Sequence, residues 1–243
     1  MIRTPCIAAR CAPLCFVALF LSLGTAQART RHALPPVVVE LFTAQGCAAC
    51  PPADELITDL VGEKGVIPLT LPVDIWDYVG WSDTLAQPAF TARQRAYAGR
   101  MRVKELYTPE VVVDGRTEAP AMQRDRVDDL VAEAQDDHRA RPSIHLTRHG
   151  LRLHVGGGQA PRGGAEVWLL RYDPASRTVK VTAGENRGKT VVQTNVVRSI
   201  VRLGLWRGSA KTYVVPTARA DGLKGVILVQ GLKGGPILAA QKS

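Results

Sequence analysis

Acidic side chains are absent from the first 28 residues of this 243-residue chain. Arg3 and Arg10 make that region positive, Cys15 to Leu23 form a short apolar run, and Ala26-Gln27-Ala28 offers small side chains. This order predicts a secretory signal peptide over residues 1–28, cleaved after Ala28. An uncleaved anchor is the alternative, but the run is too short to span a bilayer. Long hydrophobic runs are missing elsewhere, so no transmembrane segment is expected in the mature chain. The expected location is periplasmic or secreted. Removing the signal leaves 215 residues, enough for one large domain or two modest ones.

Cysteine is also scarce. Of the five in the chain, Cys6, Cys11 and Cys15 leave with the signal, so the mature protein keeps one close pair, Cys47 and Cys50. A single pair in an oxidising compartment points to a disulfide. Aromatic residues make up 5% of the chain, and no basic motif interleaved with aromatics of the kind that stacks bases is found. Nucleic acid is therefore not an expected partner. The histidines His32, His138, His145, His149 and His154 show no ligand spacing near the cysteines. Paired catalytic carboxylates, a Ser-His-Asp set and a phosphate loop are missing too, and Gly156-Gly157-Gly158 lacks the strand–helix context of a nucleotide site. No metal and no bound cofactor are expected.

Charge is unevenly spread. Residues 29–142 hold 13 Lys/Arg against 18 Asp/Glu, a balance of −5, whereas residues 143–243 hold 16 against 4, a balance of +12. The split predicts two segments with different surfaces. Either the basic half docks on the acidic half, or it meets an anionic partner or envelope surface.

Periodicity divides the chain in the same place. Residues 29–36 read as a linker. Val37 to Phe42 is β-branched and apolar, as a buried strand should be. Thr43 to Gly46 turns the chain, and Pro51-Pro52 opens a helix whose first turn tolerates missing amide donors. Val66 to Val73 reads as a second strand, whose Pro68 and Pro72 suggest an edge or irregular ends. Helices are expected over 87–100 and 124–139, with Val111-Val112-Val113 and the hairpin signal Asp114-Gly115 between them. Arg141-Pro142 ends this alternation. Beyond it come β signals only, including Val191 to Leu203 with a bend or short helix. The expected fold class is an α/β domain at 37–141, followed by a smaller β-rich, sandwich- or barrel-like domain at 142–243.

Cys47-Ala48-Ala49-Cys50 stands where a strand turns into a helix. A helix N-terminus offers unpaired amides and a positive dipole end, and both stabilise a thiolate, the nucleophile of disulfide exchange. Three readings of the pair stay open: redox exchange, a structural disulfide, and a metal site short of ligands. In the first, Cys47 attacks and Cys50 resolves. Asp74, Trp76, Asp77, Tyr78 and Trp81 leave the second strand at the same end. They form either a groove beside Cys47, with Asp74 and Trp76 binding substrate, or packing aromatics.

Val37 to Cys50, together with Thr108-Pro109 before Glu110 to Gly115, resembles the active-site strand and the cis-proline strand of the thioredoxin superfamily. The resemblance implies that Pro109 and Thr108 flank Cys47 and that Thr108 offers backbone pairing to an extended substrate. The longer run Glu40 to Asp54, with Val73 to Tyr78, Arg93 to Tyr97, Tyr107-Thr108-Pro109 and Gly184 to Gly188, is similar to a family of secreted bacterial thioredoxin-like proteins known only as a domain of unknown function. That resemblance implies fold and export but no substrate. The chain lacks the Trp-Cys-Gly-Pro-Cys turn of ordinary thioredoxins. The expected function is thiol–disulfide oxidoreduction on protein thiols or disulfides of the cell envelope. The alternative is a non-catalytic envelope binding module with Cys47–Cys50 as a staple.

Overall fold

In a computed structural model of the chain, residues 1–2, 35–147, 152–216 and 221–243 are described. Residues 3–28 of the expected signal peptide and all but the last two residues of the expected linker lie outside them.

Strand β1 (Val37–Thr43) is buried along its whole length. Its alternating side chains feed two cores. Val37, Val39 and Leu41 meet Leu56, Ile57 and Leu60 of helix α1 (Pro51–Leu60). On the opposite face, Val38 and Phe42 meet Phe90 and Tyr97 of helix α2 (Pro88–Met101). Strand β2 (Val66–Pro72) runs parallel to β1. Strands β3 (Glu110–Val113) and β4 (Thr117–Pro120) continue the sheet as an antiparallel hairpin. Its turn carries Asp114 and Gly115, both at positive φ. A Cβ on Gly115 would stand 2.8 Å from the Gly235 carbonyl oxygen, so that position requires glycine. Helix α3 (Arg124–Gln135) adds Val127, Leu130 and Val131 to the α1 core and stops four residues before the expected end.

After Pro142 come β5 (Ile144–Leu146), β6 (Arg152–Val155), β7 (Ala165–Asp173), β8 (Arg177–Lys180), β9 (Thr190–Gln193), β10 (Val196–Trp206), β11 (Lys211–Val214), β12 (Lys224–Gly231) and β13 (Ile237–Lys242). These strands do not make a separate sandwich or barrel. One eight-stranded mixed sheet runs β13-β12-β7-β10-β2-β1-β3-β4 and takes strands from both sides of Pro142. The expectation of an α/β thioredoxin-like domain followed by a β domain is thereby corrected. Among the described residues there are thirteen strands and three α-helices, and the large sheet is shared.

The physical reason lies in β2. All seven of its residues are buried, so it is an interior strand and not the edge its prolines suggested. It pairs with β10 through one ladder position, Val196 with Thr70. Pro68 has no N–H to give, but its carbonyl is still met, by Asn195. Its side-chain amide donates to the Pro68 carbonyl at 2.9 Å, and its own carbonyl accepts from Thr70 N at 3.1 Å. Asn195 takes φ 53° and breaks the expected 191–203 strand into β9 and β10. The three-stranded sheet β11-β6-β5 covers the far face of β7 and β12, and β9 lies against α1.

Candidate functional site

Cys47 and Cys50 form a disulfide with their Cα atoms 5.4 Å apart, at the turn between β1 and α1. The turn is tight because Cys47 N donates to Ala44 O, and Cys50 N to Cys47 O. Cys50 is the N-cap residue of α1, and its carbonyl accepts from Ala53 N and Asp54 N at 2.9 and 3.0 Å. Cys50 is fully buried and Cys47 keeps 4% exposure, while Ala48 and Ala49 between them are exposed.

Two of the sequence-derived residues meet the disulfide directly. The Cys47 sulfur lies 3.8 Å from the Thr108 carbonyl oxygen, and the Thr108–Pro109 peptide bond is cis. Trp76 packs on the small cluster of Ala44, Cys47 and Cys50, and its indole N–H donates to Thr108 Oγ1 at 2.6 Å. Tyr78 stacks on Trp76 and is 80% exposed, so an aromatic ledge borders the turn. Pro109 is buried and its carbonyl accepts from Ala121 N at 3.0 Å. Asp74 is used elsewhere. Its carboxylate accepts from Thr91 Oγ1 at 2.6 Å, which ties the segment after β2 to α2.

Sequence reading missed the supports of the turn. Gln45 is fully buried, and its side-chain oxygen accepts from Trp81 Nε1 and Thr84 N. Asp83 takes the Gln45 N–H at 2.7 Å along with those of Leu85 and Ala86, and burial raises its pKa against those bonds. Asn186 comes from the loop between β8 and β9, 139 residues beyond Cys47. Its amide donates to Gln45 O at 2.9 Å and to Cys47 O at 2.7 Å. Beside it, Glu185 Oε2 accepts from Ala48 N at 3.1 Å. Sequence alone marks Gly184 to Gly188 only as a motif held in common with the resembled family.

Beneath the turn, Asp54 projects from the first turn of α1 into the protein and is 1% exposed. Burial raises its pKa well above the ordinary carboxylate range, and neither carboxylate oxygen has a hydrogen-bond partner among the described residues. No group of three or more His, Cys, Asp or Glu side chains suited to a metal occurs among the described residues. The described residues also contain no helix long and apolar enough to cross a membrane.

The family model described as a protein of unknown function (DUF1223) matches residues 38–230. The chain belongs to that family. The match spans the cysteine turn, the Thr108–Pro109 bond and the Glu185-Asn186 loop. A crystal structure of a protein from Agrobacterium tumefaciens, a structural-genomics target, is 28% identical, with a TM-score of 0.69 over 85% of this chain and 92% of that one. HBP35 of Porphyromonas gingivalis shares the fold, with 11% identity and a TM-score of 0.55, covering 86% of this chain and 74% of that chain. Among curated proteins none matches by sequence.

Proposed function

We propose that this protein is an exported thiol–disulfide oxidoreductase acting through Cys47 and Cys50. The observation that carries the reading is the Cys47 sulfur at the start of α1, 3.8 Å from the Thr108 backbone carbonyl and bordered by Trp76. A sulfur at a helix N-terminus is where a thiolate is stabilised. A backbone carbonyl beside it is where an extended partner chain pairs. This local arrangement resembles the active-site turn of the thioredoxin superfamily, whatever the surrounding sheet. Cys47 attacks a partner disulfide or receives its thiol, and Cys50, buried and one turn along, resolves the mixed disulfide. Thr108 and Pro109 position the partner backbone, and Trp76 shapes the groove wall. The signal-like residues 1–28 support export to a compartment where disulfides persist.

The near-complete burial of both sulfurs favours one other reading, a binding module in which the disulfide is a staple. Equilibration with graded glutathione buffers separates them. Exchange predicts a reduction potential between about −120 and −270 mV, and a staple predicts one below about −300 mV. The Cys50→Ser variant is expected to accumulate mixed disulfides through Cys47 in the periplasm of a bacterial host, detectable on non-reducing gels. Absence of such adducts in a folded variant, with a potential below about −300 mV, overturns the exchange reading.

A further inference from the structure

We infer that Glu185 sets the direction of exchange, making the Cys47–Cys50 pair an electron donor. The inference rests on the exchange reading above. It begins with the Ala48 amide, one of the free N–H groups just ahead of α1 that would otherwise stabilise a Cys47 thiolate. That N–H donates instead to Glu185 Oε2 at 3.1 Å. A full negative charge is thus held against the residue that follows the attacking sulfur.

The loop that carries Glu185 is built in. Asn186 is fully buried and donates to the Gln45 and Cys47 carbonyls. Its Oδ1 accepts from Lys189 Nζ at 3.1 Å. Gly184, at φ 70°, lies so close to Trp81 that a Cβ there would stand 3.3 Å from the Trp81 Cβ. These contacts fix Glu185 over the turn although its own side chain is exposed.

The other titratable groups on the surrounding elements place no cation against Glu185. Glu55 lies on α1, and Asp74 and Asp77 on the segment after β2. Burial raises the pKa of Asp54, Asp83 and Glu110, which favours their neutral form. Arg187 and Lys189 are the cations of the loop, and the Lys189 ammonium faces Asn186.

A nearby like charge disfavours the thiolate. Only the dithiol state contains that thiolate, so Glu185 destabilises the reduced pair relative to the disulfide. A stabilised reduced form makes a strong oxidant, and the reverse holds here. In the forward reaction the Cys47 thiolate attacks a partner disulfide, whose S–S bond breaks as the mixed disulfide forms. The departing partner sulfur takes up a proton. Deprotonated Cys50 then attacks Cys47, forming Cys47–Cys50 and releasing the second partner thiol. Two electrons and two protons pass to the partner, and a dithiol protein of the same compartment returns them.

The test compares wild type with Glu185→Gln, which keeps an acceptor for Ala48 N but removes the charge. Cys47 is titrated by its alkylation rate, and the pair is equilibrated with glutathione at pH 7 and pH 9. The variant is expected to titrate about one pH unit lower. At pH 9 its equilibrium is expected to shift about tenfold toward the dithiol, or ~30 mV, with a smaller shift at pH 7, where less thiolate is present. Wild type in low salt is expected to move toward the variant as sodium chloride is raised, because an exposed charge is screened; this arm needs no mutation. Identical titrations and equilibria for the two proteins, with wild type indifferent to salt, overturn the inference and leave exchange standing. A wild-type pair that does not equilibrate with glutathione overturns both.

Discussion

Glu110 follows the cis-proline on β3 and is fully buried on the α2 face of the sheet. One of its oxygens accepts from Gln94 Nε2 at 2.7 Å, and the other has no partner among the described residues. Burial is the largest cause that lifts its pKa to about 7, with Glu118 adding to the shift and Gln94 opposing it. The folded protein therefore holds this proton more tightly than the unfolded chain, whose glutamate titrates near 4.5. The stabilisation is present below about pH 4.5 and is lost as pH rises through 7. Its size is on the order of 3 kcal/mol. Urea denaturation from pH 5 to pH 8 should show wild-type stability falling, and Glu110→Gln should flatten that dependence. An unchanged slope in the variant would assign the effect to Asp54, whose pKa burial also raises.

Helix α2 shows how a polar knot can hold an element. Arg93 Nε and Nη2 donate to the two oxygens of Glu40 on β1 at 2.6 and 3.0 Å, and Nη1 donates to Gln230 Oε1 on β12 at 2.9 Å. Tyr97 joins the same group through Arg93 and Gln230. The carboxylate is 0% exposed and the guanidinium 9%. Arg93→Ala leaves Glu40 buried without its cation and is expected to cost about 3–5 kcal/mol in chemical denaturation. The double variant Glu40→Gln with Arg93→Met removes both charges and should lose less than the single one. A double variant as unstable as Arg93→Ala would mean that packing, not charge, sets the cost. Neither Glu40 nor Gln230 was legible as a partner. Glu40 sits in a run of apolar residues, and nothing local announces which distant side chain neutralises it.

Across the whole molecule the shared sheet governs behaviour. The β2 edge away from β1 is closed by Thr194-Asn195 and β10, and the Asp114 backbone is held by Val38 on β1 and by Ile237 at the start of β13. Residues 37–141 alone would expose the β2 edge and much of the α2 core, which draws Leu170, Tyr172, Val226 and Leu228 from the later strands. The fragment 35–142 is therefore expected to lack a cooperative thermal transition, whereas the chain from residue 29 should unfold in one. Two separate transitions in that longer chain would contradict the shared core. The same sheet explains the site. The loop that clamps the cysteine turn hangs between β8 and β9, and β9 reaches α1 only because β10 has joined β2.

Local pattern was sufficient for much of this protein. The β-branched run of β1, the Pro51-Pro52 start of α1, the Asp114-Gly115 turn and the Cys-x-x-Cys spacing are each decided by a few adjacent residues, and they put the disulfide at a helix N-terminus. Thr108 beside it was reachable from resemblance, and Trp76 from the loop that leaves β2 at the same end. What pattern could not decide was pairing at long range. Prolines in β2 argued for an edge, because a missing N–H costs a ladder bond, but the side chain of Asn195, 127 residues away, answers the Pro68 carbonyl. The fusion of both halves into one sheet, the Glu40–Arg93 pair and the placing of Glu185 and Asn186 over Cys47 were decided by tertiary structure alone. Each depends on which buried polar group finds its partner once the chain has closed, and sequence spacing carries no record of that.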